Sequence, residues 1–559
     1  MDIFRKEIEK TIASAELTIT YEDVYQEIES RYEAESLGQM TIDDRIEKDF
    51  FNQLLSNVDS MIIIGLSGYI RPFMKKIKAK VSYIEIYDDF FEDNFFEEIR
   101  VSRNDEILKR KDIDCFFITP RDVTLKNKFM AQITCKENCV WSIDLIEKSC
   151  LTVLGKKHDG AWDDHILLNI EKASNPIVFF GGFYSNNFAP MFLELEKKGF
   201  TPFYVVRSDF LSMTLSTIDK VYKNVYKINM YDMVYLASNF PKNTKLLMNW
   251  DSFRSNNFSG FGAICAMVYI VSLFKMIRAE KILIQYDPVS IIYNGQEYSE
   301  SIIKLHGEML SNADKIIYNS STLEMLEYQA NIYDIKKPMI NFYRYNKKLE
   351  KPMPNRSLKE FHILMIGVFL DNTLDPMRSG MREYIKNILD KGVYMHYLSY
   401  VQNDYMLENF VSSLSVEQKK YFHIEKNIID QSKMIEFVST FNAGWMLHNT
   451  ANMCHAISRL ENQTYKDMLY VFLSATVTSS VLAHGCAGIP MFINRSMQGL
   501  LKEFPSQFFI PMELSETACI DTIIQRQNWE ERYQFCYEHR GLFSIEDNID
   551  RLIYFLEND

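Results

Sequence analysis

Short, wholly apolar runs alternate along the chain with longer amphipathic stretches, and glycine or polar turns separate the two. A run that is apolar at every position suits a strand buried on both faces, as in a parallel sheet covered by helices. Residues 1–50 read as helical and acidic, with Ile and Leu at three-to-four spacing. Residues 61–64 (MIII) then run into Gly65-Leu66-Ser67-Gly68 and a basic amphipathic stretch, 72–80. Strands at 81–87 (VSYIEIY) and 113–119 (IDCFFIT) follow. Strand, glycine turn, helix, strand is the parallel α/β rhythm, so residues 51–170 read as one Rossmann-like unit.

The rhythm restarts at 176–180 (PIVFF), with Gly181-Gly182 and a helix closed by Gly199, and continues through strands at 201–206, 245–249, 282–286 and 314–319. The polar, basic stretch 340–354 carries two prolines and reads as a linker near 340–360. A third restart at 361–368 (FHILMIGV) leads to strands at 393–400, 421–425, 442–447 and 491–494, the last preceded by a helix over 478–487. The pattern predicts an α/β protein of three Rossmann-like units in series. The units are 51–170, 171–345 and 346–540, flanked by a helical segment 1–50 and a C-terminal helix 541–559.

Composition narrows the function. The 559 residues are 47% hydrophobic and 14% aromatic, enough to bury real cores and too apolar for a disordered chain. A net charge of -13 argues against nucleic acid as the partner, because phosphate backbones need a basic face. The nine cysteines are scattered without repeated spacing, and Cys135 and Cys139 have neither a second pair nor a histidine in register, so reduced thiols are expected and a metal site is not. The charged opening MDIFRKEIEK has no apolar signal region, which points to the cytoplasm. The stretch 261–277 is too short for a span of roughly 20 residues and carries Lys275; it reads as a helix buried between layers, with peripheral membrane contact left open.

Particular residues in the second and third units resemble the GT-B glycosyltransferases. Residues 313–320 (ADKIIYNS) resemble the strand that ends the acceptor-side half of those enzymes, and 434–445 (MIEFVSTFNAGW) are similar to the helix-to-strand step of the donor half. His448 and Asn449 follow that step, and 478–490 (TSSVLAHGCAGIP) resembles the donor-site helix and the strand behind it. The resemblance covers roughly 175–540 and implies two facing domains with a nucleotide-sugar donor, UDP-sugars first, between them. It implies no tightly bound cofactor, no resident metal, a hexosyl-type transfer, and a protein, glycan or lipid-linked acceptor. Together with an Ile-, Lys- and Asn-rich composition it suggests a bacterial source, and it leaves homo-oligomers open. The sequence departs from retaining relatives where Ala475 and Ala483 stand at the positions of their Glu pair.

The implied donor site comprises Gly367, Arg378, Arg382, His448, Asn449 and the helix start Thr478-Ser479-Ser480, whose amides and dipole suit a diphosphate. The same three hydroxyl residues also suit a plain helix cap. His484 reads as a packed histidine sooner than a proton shuttle. Asp251 and Asp287 each follow an apolar strand and are the candidates for the base that deprotonates the acceptor; both also suit Asx-turns. Gly181 and Gly182 let backbone approach an acceptor. Two rival readings stand beside this one: a GT-B-like binding subunit without catalysis, and a nucleotide- or S-adenosylmethionine-dependent enzyme using 51–170, where Gly65-x-x-Gly68 precedes Glu85 and Asp88.

Overall fold

The computed structural model describes the chain except residues 1, 39–54, 56–57, 66–70, 89–94, 97, 120–122, 134–139, 143–159, 182–184, 208–223, 229, 250–260, 286–298, 320, 344, 355, 368–379, 400–404, 426–430 and 559. Three sheets follow one another. The first holds β1 (Ser60–Ile64), β2 (Tyr83–Tyr87), β3 (Phe95–Phe96), β4 (Ile99–Ser102), β5 (Cys115–Ile118) and β6 (Val140–Ser142) in the order β3-β4-β2-β1-β5-β6. The second holds β7 (Pro176–Gly181), β8 (Thr201–Arg207), β9 (Val225–Ile228), β10 (Lys245–Asn249), β11 (Glu280–Gln285), β12 (Lys315–Tyr318) and β13 (Met339–Asn341) in the order β13-β12-β11-β10-β7-β8-β9. The third, β14 (His362–Gly367), β15 (Tyr394–Ser399), β16 (Phe422–Glu425), β17 (Ala443–Met446), β18 (Met491–Asn494) and β19 (Phe509–Met512), is ordered β16-β15-β14-β17-β18-β19.

Within these sheets the pairing is parallel, apart from the short β3–β4 ribbon. In each, the first strand sits centrally and the chain winds outward on one side, then the other. That leaves a reversal of strand order at β1/β5, β7/β10 and β14/β17, the place where open α/β sheets hold ligands beyond their carboxyl ends. Each first strand also ends at a glycine of positive φ: Gly65 at 81°, Gly181 at 99° and Gly367 at 145°. Only a residue without Cβ adopts such angles at no steric cost, so the sharp exit from the sheet is written into these glycines.

Helices fill the faces, and several cross between units. Phe4, Ile8 and Ile12 of helix Asp2–Ser14 join Val24 and Ile28 of helix Tyr21–Gly38 in one core with helix Phe261–Met276 of the second unit. Phe4 meets Tyr269 edge to face, with centroids 5.3 Å apart. Helix Phe261–Met276 is therefore covered on its outer side by the N-terminal helices and on its inner side by the sheet, which explains why it is apolar all round. No helix among the described residues is long and apolar enough to cross a membrane.

Helices Thr450–Ser458 and Gln463–Ala475 follow β17, yet Met453, Ile457, Met468, Leu469 and Phe472 pack into the second unit's core. In return, the last helix, Ile545–Glu557, leaves the third unit and places Ile549, Leu552 and Leu556 in one cluster with Ile177 and Phe179 of β7. Each such buried aliphatic contributes about 1.5–3 kcal/mol relative to exposure. Lys198 holds Asp550 at 2.6 Å, and the buried Lys315 Nζ donates to the Leu556 carbonyl at 3.1 Å. The second and third units are thus tied together by exchanged helices. The first unit keeps two cores of its own, built from residues between Leu55 and Val140.

The stretch expected as a linker differs from that expectation. It begins as β13, and Phe342, Tyr343, Tyr345 and Leu349 are buried between the two units. Its apolar positions are aromatic and interleaved with Arg and Lys, so its mean polarity hides what it buries.

Candidate functional site

The reversal point of the third sheet lies between β14 and β17. Strand β17 is buried throughout, and Gly444 is required there because a Cβ would come within 2.4 Å of the His484 ring. His484 belongs to helix Ser479–Cys486, which precedes β18 and runs antiparallel to the strands, so its amino end lies at their carboxyl ends. The contact of Thr478 Oγ1 with Met446 Sδ, 3.6 Å away at the end of β17, fixes that placement.

Thr478 is extended (φ −84°, ψ 160°), and its Oγ1 accepts a hydrogen bond from Val481 N, which starts the helix. Gly488 (φ 67°) and Pro490 end it. Capping accounts for Val481 N, and Leu482 N reaches the Thr478 carbonyl. The Ser480 amide has no acceptor among the described residues, and it lies in the first turn, at the helix's positive end. The Ser480 hydroxyl turns inward, 3.2 Å from His484 Nδ1, and is buried. His484 Nδ1 donates to the Ser480 carbonyl at 2.6 Å. Burial pushes the His484 pKa down to about 4, opposed only by the carbonyls of Ser480 and Leu364. At neutral pH it is an uncharged packing residue that holds the helix against Gly444.

Around this tip the carboxyl end of β17 is pinned by Asn494, fully buried at the end of β18: His448 N donates to its Oδ1 at 2.7 Å, and its Nδ2 donates to the His448 carbonyl at 2.9 Å. Asn449 caps helix Thr450–Ser458, accepting from Asn452 N at 3.2 Å. Gly380 (φ 71°) caps helix Met381–Asp390, and a Cβ on it would lie 3.5 Å from Asn449 Nδ2. Arg382 sits in the first turn of that helix, half-buried. The Gly367 carbonyl, at the end of β14, accepts from Tyr397 OH at 2.8 Å.

The structure therefore gathers Gly367, His448, Asn449, Thr478, Ser479 and Ser480 at the carboxyl ends of neighbouring strands, with Arg382 on the adjacent helix. Gly181 occupies the equivalent position at the end of β7, facing the reversal with β10. Gly182, Asp251, Asp287 and Arg378 lie outside the described residues. Sequence reading missed Gly380 and Asn494, and it had Gly444 only as part of the 434–445 motif, without its contact to His484. Gly444 is demanded by the long-range approach of His484 and Gly380 is favoured by its positive φ of 71°, and neither leaves a local pattern.

Among the described residues no group of three or more His, Cys, Asp or Glu side chains is arranged to hold a metal ion. In the first unit, buried Glu85 accepts from Tyr83 OH at 2.5 Å and pairs with Arg110 at 3.4 Å, which commits it to holding that unit together.

No protein-family model matches the chain, and no curated protein matches it. Solved structures do. An α-glucosyltransferase crystallised with UDP and a 13-mer DNA is similar at 12% identity and a TM-score of 0.43, over 69% of this chain and 100% of that one. Anabaena HepE in complex with UDP-glucose is similar at 10% identity and a TM-score of 0.43, over 68% and 98%. A glycosyltransferase from Rickettsia africae is similar at 10% identity and a TM-score of 0.42, over 69% and 98%.

Proposed function

We propose that the protein is a cytoplasmic glycosyltransferase that moves a sugar from a nucleoside-diphosphate donor to a protein, glycan or lipid-linked acceptor. The observation that carries this reading is the amino end of helix Ser479–Cys486. Its first turn, where the Ser480 amide has no acceptor among the described residues, lies at the carboxyl end of β17, beside the reversal of strand order. An α-helix start at such a place favours a diphosphate through its N–H groups and dipole.

Glycosyl transfer needs the leaving diphosphate stabilised as negative charge builds on it. In this proposal the Ser479 and Ser480 amides supply that stabilisation, with Arg378 and Arg382 as nearby cations and no resident metal. The flat backbone at Gly367 and Gly380 admits the donor. Asp251 or Asp287, after β10 and β11 of the facing unit, takes the acceptor proton, and Gly181-Gly182 receive the acceptor. Packed and neutral, His484 positions the helix and does not exchange protons. UDP is the first nucleotide to try.

Ala475 and Ala483, together with the inward turn of the Ser480 hydroxyl, favour the second reading, a binding subunit that holds the nucleotide sugar without cleaving it. Incubating the full chain with UDP-sugars and measuring UDP release separates the two. Binding with slow hydrolysis supports the transferase, binding without hydrolysis supports the subunit, and absence of nucleotide binding defeats both.

A further inference from the structure

Three histidines stand side by side on one face of the third sheet. His362 starts β14, His396 lies within β15, and His423 of β16 is its partner in register. Their rings and that of Tyr394 form a continuous stack. Tyr394 lies over His362 at 4.5 Å and over His423 at 5.9 Å, and His423 lies over His396 at 4.8 Å. His396 is nearly covered, with 12% of its side chain exposed, whereas His362 is half-buried and His423 is exposed.

A hydrogen-bonded chain runs through this group. Glu425, at the end of β16, lies 2.8 Å from His396 Nδ1, and His396 Nε2 lies 2.8 Å from His362 Nδ1. A carboxylate only accepts, so His396 Nδ1 donates to Glu425, neutral His396 accepts at Nε2, and His362 Nδ1 donates to it. One added proton fits the chain, because a charged His362 still donates from Nδ1. A second does not fit. The Nε2–H of a charged His396 would face the Nδ1–H of His362, and two cations would stand with centroids 5.0 Å apart beside His423.

Burial holds both His362 and His396 below the usual imidazole range. Glu425 acts on His396 in the opposite direction, and so does Glu360, just ahead of β14, on His362. Of the charged residues on helix Gln431–Val438, Lys433 is exposed and Glu436 pairs with Lys351. Lys420, ahead of β16, pairs with Glu417 at 2.5 Å.

What the chain holds is the end of a helix. His396 meets buried Phe441 edge to face at 4.8 Å, and Phe441 meets Phe437 of helix Gln431–Val438 at 4.9 Å. Asn442, next in sequence, accepts from His362 N through Oδ1 at 2.7 Å, and its own N donates to the His362 carbonyl at 2.9 Å. Ile435 and Val438 of that helix share a core with Val481 and Leu482 of helix Ser479–Cys486.

We propose that Glu425, His396, His362 and His423 form an acid-responsive latch, which fixes Phe441 and the end of helix Gln431–Val438 when closed and opens when the chain is doubly protonated. The open form binds more protons than the closed one. The latch is therefore fully closed above about pH 6.5 and loosens as the pH falls below it. Release of helix Gln431–Val438 loosens helix Ser479–Cys486 beside it. The consequence for a nucleotide sugar rests on the transferase reading, whereas the latch does not.

The test is hydrogen–deuterium exchange of the full chain without ligand, corrected for the intrinsic pH dependence of exchange. Protection of residues 431–441 is constant between about pH 8 and 7 and falls about tenfold between about pH 6 and 5, as expected for one extra proton taken up on opening. The double variant His362→Gln, His423→Gln keeps polar side chains that take no proton and retains His484, and in it that fall shrinks to about twofold or less. As a second measurement, ring NMR signals of His362 and His396 in the wild type titrate in two separate steps below about pH 6.5. Equal protection at pH 7 and pH 5 in the wild type, an undiminished fall in the double variant, or one shared step at the ordinary imidazole value each overturns the latch. Nucleotide binding plays no part in the readout, so the transferase reading stands or falls separately.

Discussion

Gly444→Ala probes the packing that holds the proposed phosphate helix. The new methyl would stand 2.4 Å from His484 Cδ2 and 2.6 Å from Nε2, closer than atoms can approach. The ring has nowhere to go: it is fully buried, and its Nδ1 is bonded to the Ser480 carbonyl at 2.6 Å. Overpacking of this kind costs about 1–3 kcal/mol. At about 2–4 °C per kcal/mol for a unit of this size, the third unit's unfolding transition falls by about 2–12 °C. Moving His484 also drags the first turn of helix Ser479–Cys486, so UDP affinity falls as well. Scanning calorimetry of the full chain, with and without UDP, reads both effects. Removing the ring relieves the clash, so Gly444→Ala combined with His484→Ala is more stable than the sum of the single losses, by about 0.5–3 kcal/mol. Wild-type unfolding in Gly444→Ala, or strict additivity in the double variant, refutes the packing argument.

Two further predictions concern stability. His484 and His306 are fully buried, with pKa values pushed by burial down to about 4 and about 3, against about 6.5 in the unfolded chain. The unfolded state therefore binds more protons below pH 6.5. Stability is fully present above that pH and falls between pH 6.5 and 4 by about 1.4 kcal/mol per pH unit for each histidine. Denaturant melts across that range check the slope, and His306→Gln shallows it. Lys315, 4% exposed, joins Glu280 at 3.1 Å to the last helix through the Leu556 carbonyl. Lys315→Met costs about 1–3 kcal/mol and speeds amide exchange in helix Ile545–Glu557 while leaving the first unit's exchange unchanged.

Much of this architecture is legible in the sequence because parallel strands buried on both faces are unbroken apolar runs. MIII, PIVFF, KLLMN and HILMIG all appear in the sheets near where their patterns put them, and Gly65, Gly181 and Gly367 mark where each unit's first strand ends. Elements whose burial comes from partners far away in sequence were harder to read. Strand β13 hides in a stretch rich in Lys and Arg, and β9 and β19 are four residues each. Helices Thr450–Ser458 and Gln463–Ala475 serve a core two hundred residues upstream in the chain, which no local periodicity reveals. The site divides along the same line. Thr478 at a helix start is a local signal and holds; the direction of the Ser480 hydroxyl depends on His484 and on Gly444 across the sheet. The candidate bases Asp251 and Asp287 sit in segments outside the described residues, so their position after β10 and β11 stands on the chain order alone.

The central claim is that a diphosphate rests on the first amides of helix Ser479–Cys486. Ser479→Pro tests it most directly, because proline at the first helical position removes one N–H donor while keeping helical geometry, and Thr478 is already extended as a residue before proline must be. Isothermal titration of the full chain with UDP should show an affinity lower by about tenfold or more in Ser479→Pro, as expected for losing a hydrogen bond to a charged group, with an unchanged melting temperature. UDP binding of equal strength in the variant and the wild type would contradict the account.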